Sequence, residues 1–283
     1  MIDSHCHLDF SDFDHDRQAV LQRCAELGIR DIIIPAVSAD AFTRTINMCE
    51  SSAASHKSAV SQTRAISQAK TSLHLALGLH PIFIEQHQPQ DLNTLDLLIE
   101  KHQPIAVGEI GLDFHQSNPN LRKQKEKQIL FFTKQLIIAK HHQLPVIIHN
   151  RKAHDECLNI LNDTRVTGGI IHAFNGSIQQ AHKYIDLGFL LGFGGMLTYE
   201  RSNKLRQLAK QIPLSAIALE TDAPDMSVSQ HKGQRNSPEY LPYVQAALAE
   251  IKSEIKITSL ADVAKTTSNN VARVFTQMNI RHT

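Results

Sequence analysis

The sequence predicts an α/β fold, and within that class a single-domain (β/α)8 TIM barrel over residues 1–283. Short apolar runs alternate with amphipathic helical segments along the chain. Right-handed crossovers can close eight such pairs into one parallel sheet, and the length is typical of one α/β barrel. A doubly wound open sheet is the alternative. It is disfavoured because no Gly-x-Gly-x-x-Gly turn follows the first strand.

The predicted strands are rich in Ile, Leu, Val and Ala, as expected of parallel strands that are buried on both faces. The first begins at Ile2 and leads into a His-x-His sequence. The others are expected over Asp31–Pro35, Leu73–Gly78, Ile105–Gly108, Val146–His149, Gly169–His172, Phe189–Gly192 and Ile217–Glu220.

Helices are predicted between these strands, where apolar residues recur every three or four positions. Val20, Cys24 and Leu27 mark the first helix, and Gly28 ends it. In chain order the helices are expected over Asp16–Gly28, from near Asp40 onwards, and over Gln90–His102, Leu121–His142, Ala153–Asn162, Ile178–Leu187, Asn203–Gln211, Pro238–Ile251 and Leu260–Phe275.

Residues 51–72 interrupt this alternation. The stretch is rich in Ser, Ala, Gln and Lys and poor in large apolar residues, which predicts a polar helical extension or a loop. We interpret it as a surface insertion. A lid or a nucleic-acid-binding arm is the functional alternative.

The composition is that of a soluble globular protein, with 42% apolar and 20% charged residues. No apolar run approaches the roughly 18 residues of a membrane span, and no secretory signal is expected. The four cysteines show no Cys-x-x-Cys spacing, so a cytoplasmic location is predicted. The net charge of +1 gives no support for binding long duplex DNA, which usually requires a basic surface.

Six residues with metal-binding side chains lie at the predicted C-terminal ends of strands, where barrels of this kind build their active sites. Two of them form a His-x-His pair, which points two imidazoles to one side of an extended backbone. The six are His5, His7, Glu109, His149, His172 and Asp222. Each alone has an ordinary explanation, such as a core histidine or a turn aspartate. Their common position predicts a metal centre.

Four imidazoles and two carboxylates suit Zn²⁺, Mn²⁺, Ni²⁺ or Fe²⁺, and also Mg²⁺ where water completes the coordination. Six ligands exceed the number that one catalytic ion takes while it leaves a position open for water. Two divalent ions about 3.5–4 Å apart, bridged by a carboxylate, account for the whole set. Such a pair activates a water molecule and stabilises developing negative charge, so a hydrolase is predicted.

Several segments resemble the motifs of the TatD family of metal-dependent hydrolases, which belongs to the amidohydrolase superfamily. They span the chain in the family's order: Asp3–Asp9, Ala76–Pro81, Gly108–Asp113, Leu144–Arg151, His172–Ser177, Glu220–Pro224 and Gly233–Pro238. The resemblance implies a (β/α)8 barrel with a divalent metal centre. For characterised relatives it implies a metal-dependent DNase activity with 3′→5′ exonuclease character.

The resemblance also implies a role for each ligand. The first metal would be held by His5, His7 and Asp222, the second by His149 and His172, and Glu109 would bridge the two. Asp222 would also be the general base that orients and deprotonates the attacking water, because a carboxylate near a cation stays ionised.

Four further residues are weaker candidates. Arg151 and Arg235 lie just beyond strand ends, where each could bind a substrate phosphate or form a surface salt bridge. Glu220 shares the parity of Asp222 and is expected to point into the barrel and orient a ligand imidazole. His80 lines the cleft or shapes the turn that follows it. 

The sequence departs from the family at two positions and in one segment. Asn150 and Asn175 stand where serine is common, and residues 51–72 are longer than the usual connection. None of these departures removes a predicted ligand. They therefore concern the substrate rather than the metal.

Three functions are compatible with the predicted barrel and its candidate metal ligands. The leading hypothesis is a deoxyribonuclease that trims the 3′ ends of DNA, with single-stranded DNA or 3′ ends as the partner. The second is a hydrolase of a small amide, lactone or ester, including aminoacyl esters, which the near-neutral charge favours slightly. The third is a non-catalytic metal-binding scaffold, which would need neither a complete ligand set nor a base. Neither a membrane nor an obligate protein partner is implied.

Overall fold

The computed structural model describes residues 1–60, 70–115, 121–276 and 278. Within these residues eight parallel strands, hydrogen bonded in chain order in one sheet, alternate with helices, and this confirms the predicted (β/α)8 barrel. The strands are β1 (Ile2–Asp3), β2 (Asp31–Pro35), β3 (Ser72–Leu77), β4 (Ala106–Asp113), β5 (Val146–Arg151), β6 (Gly169–Ile171), β7 (Phe189–Phe193) and β8 (Ile217–Leu219). The N–H of Ser4 donates to the carbonyl of Leu219 at 3.0 Å, which joins the first strand to the last.

The helices follow the predicted positions closely. They are α1 (Arg17–Glu26), α2 (Ala39–Val60), α3 (Pro89–His102), α4 (Leu121–His141), α5 (His154–Thr164), α6 (Ile178–Asp186), α7 (Asn203–Gln211), α8 (Leu241–Ser253) and α9 (Leu260–Val274). Their ends have local causes. Ser177 and Gln180 form a capping box at the start of α6, and Gln103 ends α3 in the left-handed conformation.

Two compact units can be distinguished within the described residues. One holds β1, most of β2, β8, α1, α7, α8 and most of α9; the other holds β4 to β6 and α3 to α6. In the first unit Ile32, Ile33 and Ile34 of β2 are fully buried, so both faces of this strand are covered. In the second, Ile147 and Ile148 of β5 are also fully buried.

Several boundaries differ from the prediction, and three examples show how. β1 contains only two residues, so His5 and His7 follow the strand and do not end it. β4 continues to Asp113, so Glu109 lies inside the strand. A short 3-10 helix over Pro238–Tyr240 precedes α8, which was expected to begin there.

The predicted insertion over residues 51–72 is described in part. Residues 51–60 continue α2 as a helix, in agreement with the expected helical extension, and β3 begins at Ser72. Residues 61–69 lie outside the described part of the chain. None of the helices among the described residues has the length and apolar character needed to cross a membrane.

Candidate metal centre

The first predicted ligand group comes together in one compact cluster. The Nε2 atoms of His5 and His7 are 3.2 Å apart, and they lie 3.6 and 3.7 Å from Oδ1 of Asp222. Ligand atoms that bind one ion at about 2.0–2.2 Å lie roughly 3 Å from each other, so this spacing suits a shared cation. Both imidazoles are buried, whereas the side chain of Asp222 is 16% exposed. The donor set fits a divalent transition metal.

Hydrogen bonds between two distant segments build this first cluster. The N–H of Asp222 donates to the carbonyl of His5 at 2.9 Å, and the N–H of His7 donates to the carbonyl of Ala223 at 2.8 Å. Asp222 adopts a φ of 56°, in the left-handed region that aspartate tolerates better than most residues. The backbone therefore sets the separation between the histidine pair and the carboxylate.

Asp3 adds hydrogen bonds to the segments that carry His5 and Asp222. Its buried carboxylate accepts hydrogen bonds from the Thr221 hydroxyl at 2.6 Å, the Thr221 N–H at 3.0 Å and the His5 N–H at 3.3 Å. Asp3 thus contacts both segments that carry the first ligand group. The sequence analysis included Asp3 in a motif but gave it no role.

The loop that follows the histidine pair is also fixed. Arg17 donates to the carbonyls of Leu8 and Phe10 at 2.8 and 3.0 Å. The Thr45 hydroxyl donates to the Asp9 carboxylate at 2.6 Å. Phe10 stacks on the ring of His7, with 4.8 Å between centroids. These contacts restrict the ring of His7 before any ion is bound.

A second cluster surrounds Glu109. Its Oε1 lies 3.2 Å from Nδ1 of His149 and 3.2 Å from Nε2 of His80. The Glu109 side chain is only 1% exposed. The buried Glu109 carboxylate and the imidazole of His149 offer a second set of donors for a divalent cation.

An irregularity in β4 positions Glu109. The pairing between β4 and β5 changes register between Val107 and Ile110, which is where Glu109 lies. Beyond it, Gly111 pairs with His149 at a φ of 142°, and a Cβ there would lie 2.0 Å from the His149 carbonyl oxygen. Glycine is therefore required opposite His149.

His149 contacts a carboxylate through each of its ring nitrogens. Nδ1 faces Glu109, and Nε2 is 3.0 Å from Oδ2 of Asp113. Burial alone would lower the pKa of His149, but hydrogen bonds with Asp113 and Glu109 raise it to about 9. Burial would raise the pKa of Asp113, yet the hydrogen bonds from His149 and from the His115 N–H lower it. The sequence analysis missed Asp113, although it stands four residues after Glu109 in the same motif.

His80 lies beside Glu109 and also shapes the turn that follows it. Its Nδ1 accepts a hydrogen bond from the Ile82 N–H at 3.1 Å. A neutral imidazole then carries its proton on Nε2, and this proton is directed at Oε1 of Glu109. His80 is therefore a hydrogen-bond donor to Glu109 in this state, and not a ligand.

The other four predicted site residues differ in burial and in their contacts. His172 directly follows β6, is buried, and donates its N–H to the Ile148 carbonyl at 2.9 Å. Glu220 is buried at the end of β8, and Arg151 is exposed at the end of β5. Arg235 forms two hydrogen bonds with the Asp16 carboxylate, at 2.9 and 2.7 Å, which is the salt bridge considered as its alternative role.

A chain of hydrogen bonds involves both asparagines at which the sequence departs from the family. Asn150 donates to the Tyr184 hydroxyl at 3.1 Å, and this hydroxyl lies 3.2 Å from Nδ1 of His154. Burial lowers the pKa of His154. In the neutral form Nε2 donates to Asn175 at 3.3 Å, and Asn175 donates to the Ala173 carbonyl at 3.2 Å. The chain of bonds links β5 to the loop after His172.

Comparisons with known proteins show which family the chain belongs to. The sequence model of a family described as TatD related DNase matches residues 2–276. YjjV of Escherichia coli (strain K12), named as an uncharacterized metal-dependent hydrolase, is 36% identical over 277 residues, covering 97% of each chain. YabD of Bacillus subtilis (strain 168), which carries the same description, is 29% identical over 277 residues, covering 97% of this chain and 98% of its own.

The fold comparison gives the same result. The crystal structure of YjjV, described as a TatD homolog, matches with a TM-score of 0.84 and covers 98% of both chains. The motifs, the fold and the match over nearly the whole length lead to one conclusion. This chain belongs to the TatD related DNase family.

Proposed function

We propose that this protein is a divalent-metal-dependent deoxyribonuclease that hydrolyses phosphodiester bonds from the 3′ end of DNA. The observation that carries the proposal is the close approach of imidazole and carboxylate donors in two clusters, around Asp222 and around Glu109. The description of the family as DNases supports DNA as the substrate.

The ligand assignment follows the motifs. His5, His7 and Asp222 would hold one ion, His149 and His172 would hold a second, and Glu109 would be shared between them. The donors suit Zn²⁺, Mn²⁺, Fe²⁺ or Ni²⁺, with Mg²⁺ as a further candidate. Two bound divalent ions supply charge that acidifies water and neutralises the phosphate in the transition state.

Asp222 accepts the proton of the attacking water. Its side chain is 16% exposed, so water can reach it, whereas that of Glu109 is 1% exposed. The position of Asp222 beside a cation site keeps its carboxylate ionised and able to act as a base. Glu109 is better suited to hold charge in place, because buried donors on two sides fix its orientation.

Substrate binding is assigned to side chains near the strand ends. Arg151 is exposed at the end of β5 and can bind a phosphate through two hydrogen bonds. His80 is buried and directs its Nε2 proton at Glu109, so it would have to release Glu109 to contact a substrate oxygen. Arg235 would have to leave Asp16 before it could bind a phosphate.

The test combines metal analysis with a substrate panel. Wild type and Asp222→Asn are reconstituted with Mn²⁺ or Zn²⁺, analysed for metal content, and assayed on 3′-labelled single-stranded DNA. Asp163→Asn, which changes an exposed carboxylate at the end of α5, is the matched control. We expect about 10²- to 10⁴-fold slower cleavage for Asp222→Asn and an unchanged rate for Asp163→Asn.

Two outcomes contradict the proposal. Intact DNA together with rapid hydrolysis of a lactone, small amide or aminoacyl ester would assign the site to another substrate class. Equal DNA cleavage by wild type and Asp222→Asn would remove Asp222 as the base.

A further inference from the structure

We propose that Asp113 is a positioning residue that selects Nδ1 of His149 as the atom that binds metal. This inference rests on the proposed function of His149 as a ligand. Asp113 itself would contact neither the predicted ions nor the substrate. The inference assigns Nδ1 of His149 to metal binding and Nε2 to the hydrogen bond with Asp113.

The two nitrogens of a neutral imidazole have opposite roles. One carries a proton and donates, and the other offers the lone pair that a metal needs. Nε2 of His149 lies 3.0 Å from Oδ2 of Asp113, a distance at which it donates a hydrogen bond. An ionised carboxylate can only accept, so when an ion displaces one of the two ring protons, this contact keeps the proton on Nε2 and leaves Nδ1 with the lone pair.

Nδ1 then faces the predicted metal position. It lies 3.2 Å from Oε1 of Glu109, a separation consistent with two ligand atoms on one ion. His5 and His7 differ, because their Nε2 atoms are the ones that approach Asp222. A turn of the His149 ring that exchanged its nitrogens would place an N–H where the lone pair is required.

Asp113 is itself held rigidly enough for this task. Its N–H donates to Oε1 of Gln128 at 2.8 Å, and Nε2 of Gln128 donates to the Asp113 carbonyl at 3.0 Å. Its other carboxylate oxygen, Oδ1, accepts the His115 N–H at 3.0 Å. Gln128 is only 4% exposed, so its two hydrogen bonds with the Asp113 backbone are shielded from water. A ligand that is oriented before the ion arrives loses less entropy on binding.

The experiment measures metal binding by calorimetry in the metal-free full-length protein, with Zn²⁺ as the probe. The variants are Asp113→Asn, which keeps an acceptor oxygen but loses the charge, and Asp113→Ala, which removes both. Asp96→Asn is the matched control, because Asp96 of α3 makes the same contact with Nε2 of His142, at 2.7 Å, in the turn after α4 and outside the site. Thermal unfolding of each metal-free variant is recorded in parallel.

We expect one of two zinc-binding events to weaken by about 10- to 100-fold in Asp113→Ala and by less in Asp113→Asn. The other event, at His5 and His7, keeps its affinity. Asp96→Asn leaves both affinities unchanged even if it lowers the unfolding temperature. A general loss of structure would weaken both events together, and this separates positioning from a purely structural role.

Nitrogen-15 NMR of the zinc-loaded protein gives a second measurement. Protein labelled at its histidines should show His149 with a proton on Nε2, and the signal is assigned by its disappearance in His149→Gln. In Asp113→Ala we expect this signal to shift or broaden, because the carboxylate that holds the proton is gone.

The results distinguish failure of the proposed metal function from failure of the proposed role of Asp113. If wild type binds less than one zinc ion, the proposed metal function itself is wrong. If wild type binds two ions and Asp113→Ala binds both with unchanged affinity, only the role of Asp113 is refuted. A zinc-loaded His149 that carries its proton on Nδ1 would also refute it.

Discussion

The substitution Thr221→Val tests how Asp3 connects the histidine pair to Asp222. It removes the hydroxyl that donates to the buried Asp3 carboxylate at 2.6 Å, while valine keeps nearly the same shape. Two donors to this carboxylate remain, the Thr221 N–H at 3.0 Å and the His5 N–H at 3.3 Å. The change also removes the acceptor of the Ala223 N–H, which lies 3.4 Å from the Thr221 hydroxyl oxygen, so it affects one short hydrogen bond and one long one.

The size of the effect follows from burial and charge. Asp3 is 0% exposed and Thr221 is 1% exposed, so water cannot replace the lost donor. Burial raises the pKa of Asp3 to about 7, so its carboxyl group is only partly ionised near neutral pH. Loss of a hydrogen bond from such a buried group costs about 1–3 kcal/mol, and we expect the free energy of unfolding to fall by that amount. For a chain of this length the melting temperature should fall on the order of 5 °C.

The assay uses urea unfolding and zinc calorimetry on the same variants. Thr267→Val is the control, because the buried Thr267 hydroxyl donates at 2.8 Å to the Val263 carbonyl within α9. We expect Thr267→Val to cost about 1 kcal/mol and to leave zinc affinity unchanged. Thr221→Val should also weaken zinc binding at His5 and Asp222, and Thr221→Ser should restore both properties.

One result would refute this reasoning. If Thr221→Val and Thr267→Val destabilise the protein equally, and neither alters zinc affinity, then Asp3 has no more than an ordinary packing role. The separation of His5 from Asp222 would then depend on their backbone hydrogen bond alone.

Three further predictions concern other parts of the chain. Tyr184→Phe leaves the buried Asn150 amide without its acceptor, so we expect urea unfolding to show a loss of about 1–3 kcal/mol. Burial lowers the pKa of Lys252 from 10.5 to about 8, so the unfolded chain binds this proton more tightly than the folded protein. The stability of wild type relative to Lys252→Met should therefore be lowest below pH 8 and rise towards pH 10.5, and a flat difference in urea unfolding would contradict it. Removal of metal with EDTA should abolish DNA cleavage and lower the melting temperature, and Mn²⁺ at about 100 times its dissociation constant should restore roughly 2.7 kcal/mol of stability.

The order of strands and helices could be predicted from hydrophobic periodicity because nearly every element buries one continuous surface. The prediction for α7, Asn203–Gln211, agrees with the structure at both ends. The prediction that His5 and His7 end the first strand was wrong. β1 ends at Asp3, and residues after it bond to the Asp222 segment, as in the 2.8 Å hydrogen bond from the His7 N–H to the Ala223 carbonyl. A pairing over so long a sequence separation leaves no periodic pattern in either segment.

The end of β4 was missed for a different reason. Glycine and glutamate are poor strand formers, so the predicted strand stopped at Gly108. In the structure the strand continues through Glu109, because β5 supplies partners as far as Asp113 and a change of register accommodates this residue. Tertiary pairing thus overrides local strand preference at Glu109.

Candidate metal-binding side chains could be proposed from the sequence because they stand in short motifs, but the groups that contact and orient them could not. Asp113 acts on a histidine 36 residues away, and Asp3 contacts a threonine 218 residues away. The departures at Asn150 and Asn175 fall in such a supporting network, where Tyr184 links Asn150 to His154 and His154 contacts Asn175. At such positions asparagine can replace serine if the neighbouring side chains adjust. A metal ligand cannot be replaced without loss of the ion. We therefore expect differences in substrate preference within the family to arise from these supporting residues.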